Sequence, residues 1–242
     1  MSSRITIIKR DGRKEELTLD KIHRVVFWAT EGLAGVSASE LEIKSQLQFY
    51  QNMKTTDIQE TLIKAAADLI SEEAPNYQYV AGRLINYALR KEVYNDYKPT
   101  TLLNLVKKNI DLGYYTTELL EWYDEQEWNR LDSYIKHDRD MDLTYVAMEQ
   151  FRGKYLVQNR VTGQILETPQ AAYMLIAATL FHSYPKETRM NWIREYYEAI
   201  STHDISLPTP VMAGVRTPQR QFSSCVLIET DDSLDSINAT TS

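Results

Sequence analysis

Apolar and polar positions alternate through residues 4–10 and again through residues 13–19, and the two runs flank Asp11-Gly12. That dipeptide suits a two-residue type I′ turn, so the pattern predicts a β-hairpin. The apolar period then lengthens to that of a helix. Ile22, Val25, Val26, Ala29 and Leu33 fall on one face, behind Asp20 as a helix cap. Gly32 and Gly35 interrupt this run, and Ser39 with Glu42 has the spacing of a capping box for a second helix over 41–50. A third helix is predicted to begin at Thr55-Thr56-Asp57 and to bury Ile58, Leu62, Ala65, Ala66 and Leu69. A fourth follows Pro75 to about Tyr94, with Tyr79, Leu84 and Tyr87 toward the core.

Pro99 marks a boundary. Helical periods follow over 100–112, 117–135, 143–151, 168–183 and 186–202, with a turn at Asn159-Arg-Val-Thr-Gly163. The many tyrosines of this stretch read as core rather than as a cofactor box. His137-Asp-Arg-Asp140 reads as a solvated connector, and no spacing there suits a metal. The prolines of Ser206-Leu-Pro-Thr-Pro210 stop helix formation. Phe222 to Glu229 is a strand candidate, and Asp232-Ser-Leu-Asp235 opens another helix. A strand and a helix start with nothing after them to pack against read as the front part of a larger fold. The expected class is α+β, mainly α, with domains at 1–95, 96–205 and 206–242.

Composition narrows the function. Of 242 residues 43% are hydrophobic and 25% charged, which fits a folded protein with a sizeable core. A net charge of −7 argues against duplex nucleic acid or an anionic membrane as the main partner. No run approaches the length of a membrane span, and the N-terminus lacks a secretory leader's apolar core. Cys225 is the only cysteine, so no intrachain disulfide can form and a cytoplasmic setting is expected. A single cysteine is often a small buried hydrophobe. Here Ser223-Ser224 precede it, which suggests instead a strand-borne thiol facing a polar pocket, although the serines suit an ordinary strand as well.

Cations collect at element ends in the first ninety-five residues. Lys9-Arg10 end the first strand, Lys21 and Arg24 open the first helix, Lys54-Thr55 open the third, and Arg90-Lys91 lie late in the fourth. Basic side chains beside exposed helix N–H groups can hold a triphosphate, with Glu15 and Glu16 orienting the ligand or its metal ion. An ordinary solvated basic rim has the same composition.

Ile8-Lys-Arg-Asp-Gly12, Asp20-Lys-Ile22, Thr55-Thr-Asp-Ile58 and Ala65-Ala-Ala67 resemble an ATP cone: a β-hairpin lid on a four-helix bundle, found as the regulatory domain of many ribonucleotide reductases. Lys154-Tyr-Leu-Val-Gln-Asn-Arg160, Ser206-Leu-Pro-Thr-Pro210, Gly214-Val-Arg-Thr-Pro218, Arg220-Gln-Phe-Ser-Ser-Cys225 and Asp232-Ser-Leu-Asp-Ser-Ile237 resemble the class I large (alpha) subunit, of the bacterial and phage type. The resemblance covers the whole chain but only about the first third of such a subunit.

It implies ATP as activator and dATP as inhibitor, carried with magnesium. The implied effector contacts are Lys9, Arg10, Glu15, Glu16, Leu17, Thr18, Leu19, Asp20, Lys21, Thr55 and Lys91. Inhibitable bacterial relatives carry two phosphate-side histidines where this chain has Gln59 and Ala88. Weak or absent dATP inhibition is therefore expected.

Cys225 matches one of the redox pair of thiols, on the first strand of a ten-stranded α/β barrel. Thr209 and Ser224 match substrate contacts, and Asp232, Ser233 and Leu234 match part of a dNTP specificity-effector site. In isolation this last motif is a plain helix cap. The implied reaction is radical reduction of nucleoside diphosphates to deoxyribonucleotides for DNA synthesis. The implied partners are the rest of alpha, a second alpha, a beta subunit with a di-iron/tyrosyl radical, and thioredoxin or glutaredoxin. With one thiol the chain is expected to be inactive alone. A different reading is a stand-alone nucleotide-sensing or assembly module built on a retained cone.

Overall fold

The structure, a computed structural model, describes residues 5–241; Arg4, assigned above to the first strand, lies outside them. Strands β1 (Thr6–Ile8) and β2 (Lys14–Glu16) pair antiparallel with Ile7 opposite Glu15. Their connection is longer than the two-residue turn expected. Lys9 N–H donates to the Arg13 carbonyl at 2.8 Å and Gly12 N–H to the Lys9 carbonyl at 3.0 Å, which closes a three-residue loop, Arg10-Asp11-Gly12. Such a loop needs one left-handed residue, and Gly12 supplies it at φ 84°. Asp11 stays at negative φ and accepts from the Arg13 backbone N–H at 3.1 Å. A third strand, β3 (Met53–Lys54), adds parallel to β1, giving the order β2-β1-β3.

Four helices back this sheet: α1 (Leu19–Thr30), α2 (Ala38–Gln46), α3 (Thr55–Ala67) and α4 (Tyr77–Tyr94). Two predicted caps move. Thr18 is the N-cap of α1, and Asp20 lies in its first turn, where a carboxylate still suits the helix dipole. Ser37, not Ser39, caps α2 by accepting from the Glu40 N–H at 3.3 Å. In α4 the buried aromatic is Tyr77 rather than Tyr79. Its hydroxyl donates to Glu40 at 2.8 Å and so ties α4 to α2.

The remainder is helical: α5 (Leu102–Asp111), α6 (Glu118–Trp122), α7 (Glu125–Tyr134), α8 (Tyr145–Gln150), α9 (Pro169–Phe181), α10 (Lys186–Ser201), α11 (Thr209–Gly214) and α12 (Leu234–Thr241). The predicted helix over 117–135 is two helices. Asp124 forms a reciprocal capping box with Glu127, and its exchange of bonds ends α6 and starts α7. Glu127 also pairs with Arg189 of α10 at 2.6 Å, both side chains largely buried. Pro169 opens α9, whose residues 169–179 are all buried, making it the central helix.

Two further expectations fail. Residues 137–142 are no solvated connector: they form a 3₁₀ helix packed between α4 and α9, with Asp140 fully buried. Arg139 of this turn reaches Glu198 at 2.5 Å. Its charges face partners distant in sequence, which no local pattern reveals. Phe222 to Glu229 is not a strand: the segment has no regular secondary structure and is unpaired and exposed, with Leu227 100% accessible. A strand needs neighbours for its N–H and C=O groups, and the described residues provide none.

Helix α4 joins the halves. It packs on α1 and α3 on one side and on α8 and the 3₁₀ turn on the other, within one continuous apolar core. Contact with residue 143 is so close that a Cβ on Gly82 would collide with the Leu143 carbonyl oxygen.

Candidate functional site: a cationic cavity under the hairpin

The hairpin loop, the start of α1, the start of α3 and the end of α4 converge on a cavity of about 460 Å³. This is within the usual range for small-molecule sites of roughly 300–1,000 Å³. Its floor is apolar, from Ile7, Leu17, Ile22, Val25, Ile58 and Leu62. Its rim carries Lys9, Arg10, Arg13, Lys21 and Lys91 against two acids, Asp11 and Glu15. An apolar floor suits a base, and a cationic rim suits phosphates.

Each side chain is placed by an identifiable local cause. The three-residue loop carries Arg10 to the cavity rim, and Lys9 follows directly on the end of β1 at Ile8. Because strand side chains alternate, Glu15 faces the cavity and Glu16 the opposite side. Lys54 is the N-cap of α3 and makes no side-chain cap bond, so the N–H groups of the first turn, beginning at Thr55, lack a side-chain partner from that position. Tyr87, Lys91 and Asn95 come from α4 and its left-handed cap, one helical turn apart.

Electrostatics centre on Glu15. Lys9 and Lys21 each place Nζ 3.2 Å from its Oε1, and these two bonds hold the Glu15 carboxyl below the ordinary carboxylate range. An arriving anion would compete with Glu15 for both ammonium groups. Arg10 donates to the Gln59 amide oxygen at 2.8 Å, so the residue at position 59 orients a rim cation. Lys91 Nζ lies 6.0 Å from the centre of the Tyr87 ring, which in turn stacks on Tyr97. Among the described residues no cluster of three or more His, Cys, Asp or Glu can hold a metal ion.

The structure gathers Lys9, Arg10, Glu15, Leu17, Thr18, Lys21, Thr55 and Lys91 around this one cavity. Glu16, Leu19 and Asp20 do not line it; Leu19 is half exposed and Asp20 exposed on α1. Arg13, Tyr87 and Asn95 join the lining without having been singled out as contacts. Arg13, directly after the turn, was not counted among the candidate cations, and Tyr87 was read as a core residue.

The thiol region is different in kind. Thr209 is the first residue of α11, after Pro208 as N-cap. Ser224 Oγ and Cys225 Sγ lie side by side, 3.9 Å apart, on the exposed segment. Ser233 is the N-cap of α12: its Oγ accepts from the Ser236 N–H at 3.1 Å, so the cap is the serine and not Asp232. Leu234 is 79% exposed. Among the described residues no helix is long and apolar enough to cross a membrane.

Residues 5–92 match the ATP cone domain, and residues 141–220 match the all-alpha domain of ribonucleotide reductase. The whole chain is 57% identical to ribonucleoside-diphosphate reductase 1 subunit alpha of Salmonella typhimurium and 56% identical to that of Escherichia coli, covering 32% of each. The alpha subunit of Enterobacteria phage T4 is 48% identical over 97% of the chain and 31% of its own length. The chain thus spans about a third of the length of these curated relatives. An ATP cone domain leads into the ribonucleotide reductase all-alpha domain, and along its whole length the chain is similar to the N-terminal third of ribonucleoside-diphosphate reductase alpha subunits.

Proposed function

We propose that this chain is the N-terminal part of a ribonucleoside-diphosphate reductase alpha subunit, in which an adenine nucleotide at the hairpin cavity regulates the reduction of ribonucleotides to deoxyribonucleotides. The observation that carries the reading is the identity of 55–57% to three bacterial alpha subunits along the entire chain, together with a cationic, apolar-floored cavity within the cone.

The cone would occupy 1–95, the helical domain 96–205, and the start of the catalytic barrel 206–242. In the cavity, Lys9, Arg10, Lys21 and Lys91 would hold the triphosphate, and the first turn of α3 at Thr55 would add N–H donors. Leu17 and Thr18 would contact base and ribose. Magnesium would arrive with the nucleotide, since the lining carboxylates Asp11 and Glu15 are already paired with Arg13, Lys9 and Lys21.

Replacing a ribose 2′-hydroxyl by hydrogen consumes two electrons and expels water. Cys225 would protonate the departing hydroxyl and supply its thiolate to a disulfide with a cysteine on the rest of alpha. Thr209 and Ser224 would bind the diphosphate and ribose, and Asp232, Ser233 and Leu234 would contact a dNTP that selects the substrate. The beta subunit supplies the radical that starts the reaction, and thioredoxin or glutaredoxin would restore the thiols. A second alpha would complete the specificity site, and the cytoplasm is the expected compartment. The unpaired apolar run Val226-Leu227-Ile228 would gain its strand partners from the remainder of alpha.

The test is reconstitution. This chain mixed with the remainder of alpha, beta and a dithiol reductant should convert CDP to dCDP over many turnovers, and Cys225→Ser should fail to do so. Sustained dCDP production by the variant, or by this chain with beta alone, would contradict the reading.

A further inference from the structure

Arg216 is the one fully buried cation of the region between α10 and α12, and nothing above gives it a task. It lies between two exposed stretches, Thr209 on one side and Ser224-Cys225 on the other. Its guanidinium addresses three chain segments at once. Nη1 donates to the Met212 carbonyl in α11 at 2.6 Å, and Nη2 to the Tyr155 carbonyl at 3.0 Å. Nε donates to Glu167 Oε2 at 2.7 Å, and Nη2 pairs with the other oxygen of the same carboxylate. Glu167 is fully buried as well, accepting from the Val157 N–H at 2.6 Å and from the Tyr115 hydroxyl.

Filling space does not require this arrangement. Burying an ion pair costs several kcal/mol per ion, and apolar residues of the same volume are often as stable or more so. A planar guanidinium fixed by a carboxylate instead supplies direction, with donors at set angles. Direction is what α11 lacks by itself. It has six residues, too few to persist alone, and its last carbonyls have no partner within the helix. Arg216 takes one of those carbonyls, and Pro208 and Pro210 restrict the backbone at the opposite end.

We propose that Arg216, locked by Glu167, is a positioning residue that holds α11 so that Thr209 at its N-terminus meets the nucleoside diphosphate. This rests on the reductase reading, in which Thr209 is a substrate contact. Arg216 does not itself reach the substrate; it acts through the helix.

Two conservative variants, Arg216→Lys and Glu167→Gln, test it in two ways. In the isolated chain, amide exchange of Val211 and Met212 should accelerate at least about tenfold, while the cone's ATP affinity, which reports an intact fold, stays unchanged. In the reconstituted enzyme, KM for CDP should rise about tenfold or more with kcat within about threefold, since a misplaced contact weakens binding before it slows chemistry. Unchanged exchange in α11 would overturn the proposal. So would a fall in kcat at unchanged KM, which marks a smaller folded fraction. Inactive wild-type enzyme would overturn the reductase reading and this proposal with it, whereas active wild type with an unaltered KM in both variants would overturn the proposal alone.

Discussion

Asp140→Asn should change how stability responds to acid, because two buried groups on one turn oppose each other. Asp140 is fully buried between α4 and α9, and no protein donor reaches either carboxylate oxygen in hydrogen-bonding geometry. Burial lifts its pKa from 3.8 to about 7, against the partial offset of Arg90 and Gln170. Asp138, Tyr94, Tyr97, Tyr173 and Tyr197 are the other titratable groups around it. Between pH 3.8 and about 7 the folded chain therefore keeps a proton that the unfolded chain has lost, so stability falls as pH rises through that window. His137, on the same turn, behaves oppositely. Burial, aided by Arg90, lowers its pKa from 6.5 to about 4, so the unfolded chain takes up a proton first and stability falls as pH drops from 6.5.

At ~1.4 kcal/mol per tenfold change in proton affinity, the ceilings are ~4 kcal/mol for Asp140 and ~3 kcal/mol for His137. In the wild type the two nearly cancel over the acidic range. Asp140→Asn removes one and exposes the other. Urea unfolding at about pH 7.5 and about pH 5 should show the variant losing up to ~2 kcal/mol on acidification, from His137 alone, while the wild type changes by less than ~1 kcal/mol. The variant should also be the more stable protein at the higher pH, having no carboxylate to ionise in the core. Variant and wild type with parallel pH profiles, or a variant less stable at pH 7.5, would refute the reasoning.

Glu15→Gln should tighten ATP binding several-fold in calorimetry, because Lys9 and Lys21 lose the carboxylate that competes with the phosphates; weaker binding would assign Glu15 to the ligand instead. Gly82→Ala should cost ~1–3 kcal/mol in urea unfolding, since its Cβ would meet the Leu143 backbone rather than a side chain able to move. Gly153→Ala, where nothing lies within 4 Å, serves as the control. A dATP titration of the reconstituted enzyme should show weak inhibition or none, given Gln59 and Ala88 beside Arg10, and shutdown at low dATP would end that idea.

Much of the fold was legible because its signals are local. The hairpin showed as alternation, and α3 began where Thr55 placed it. What was missed depends on distant partners. β3 has two residues, too few to alternate, and exists because β1 offers an edge. The turn at 137–142 looks solvated until Arg90, Gln170 and Glu198 close over it. Residues 222–229 carry a strand's composition without a strand's neighbours. In the cavity the cations were legible from their positions at element ends, but Tyr87 and Asn95 were not, because their role follows from how α4 packs against α1 and α3. Arg216 was visible within a motif, yet only its burial against Glu167 distinguishes it from a surface arginine.

The central claim is that the cavity beneath the hairpin binds an adenosine triphosphate through its lysine rim. Calorimetric titration of ATP into the wild-type chain and into Lys9→Gln with Lys91→Gln tests it directly. The account predicts saturable binding by the wild type and at least about tenfold weaker binding by the double variant, with unchanged thermal stability in the absence of nucleotide. Equal affinity in the two proteins, or no binding by the wild type, would contradict it.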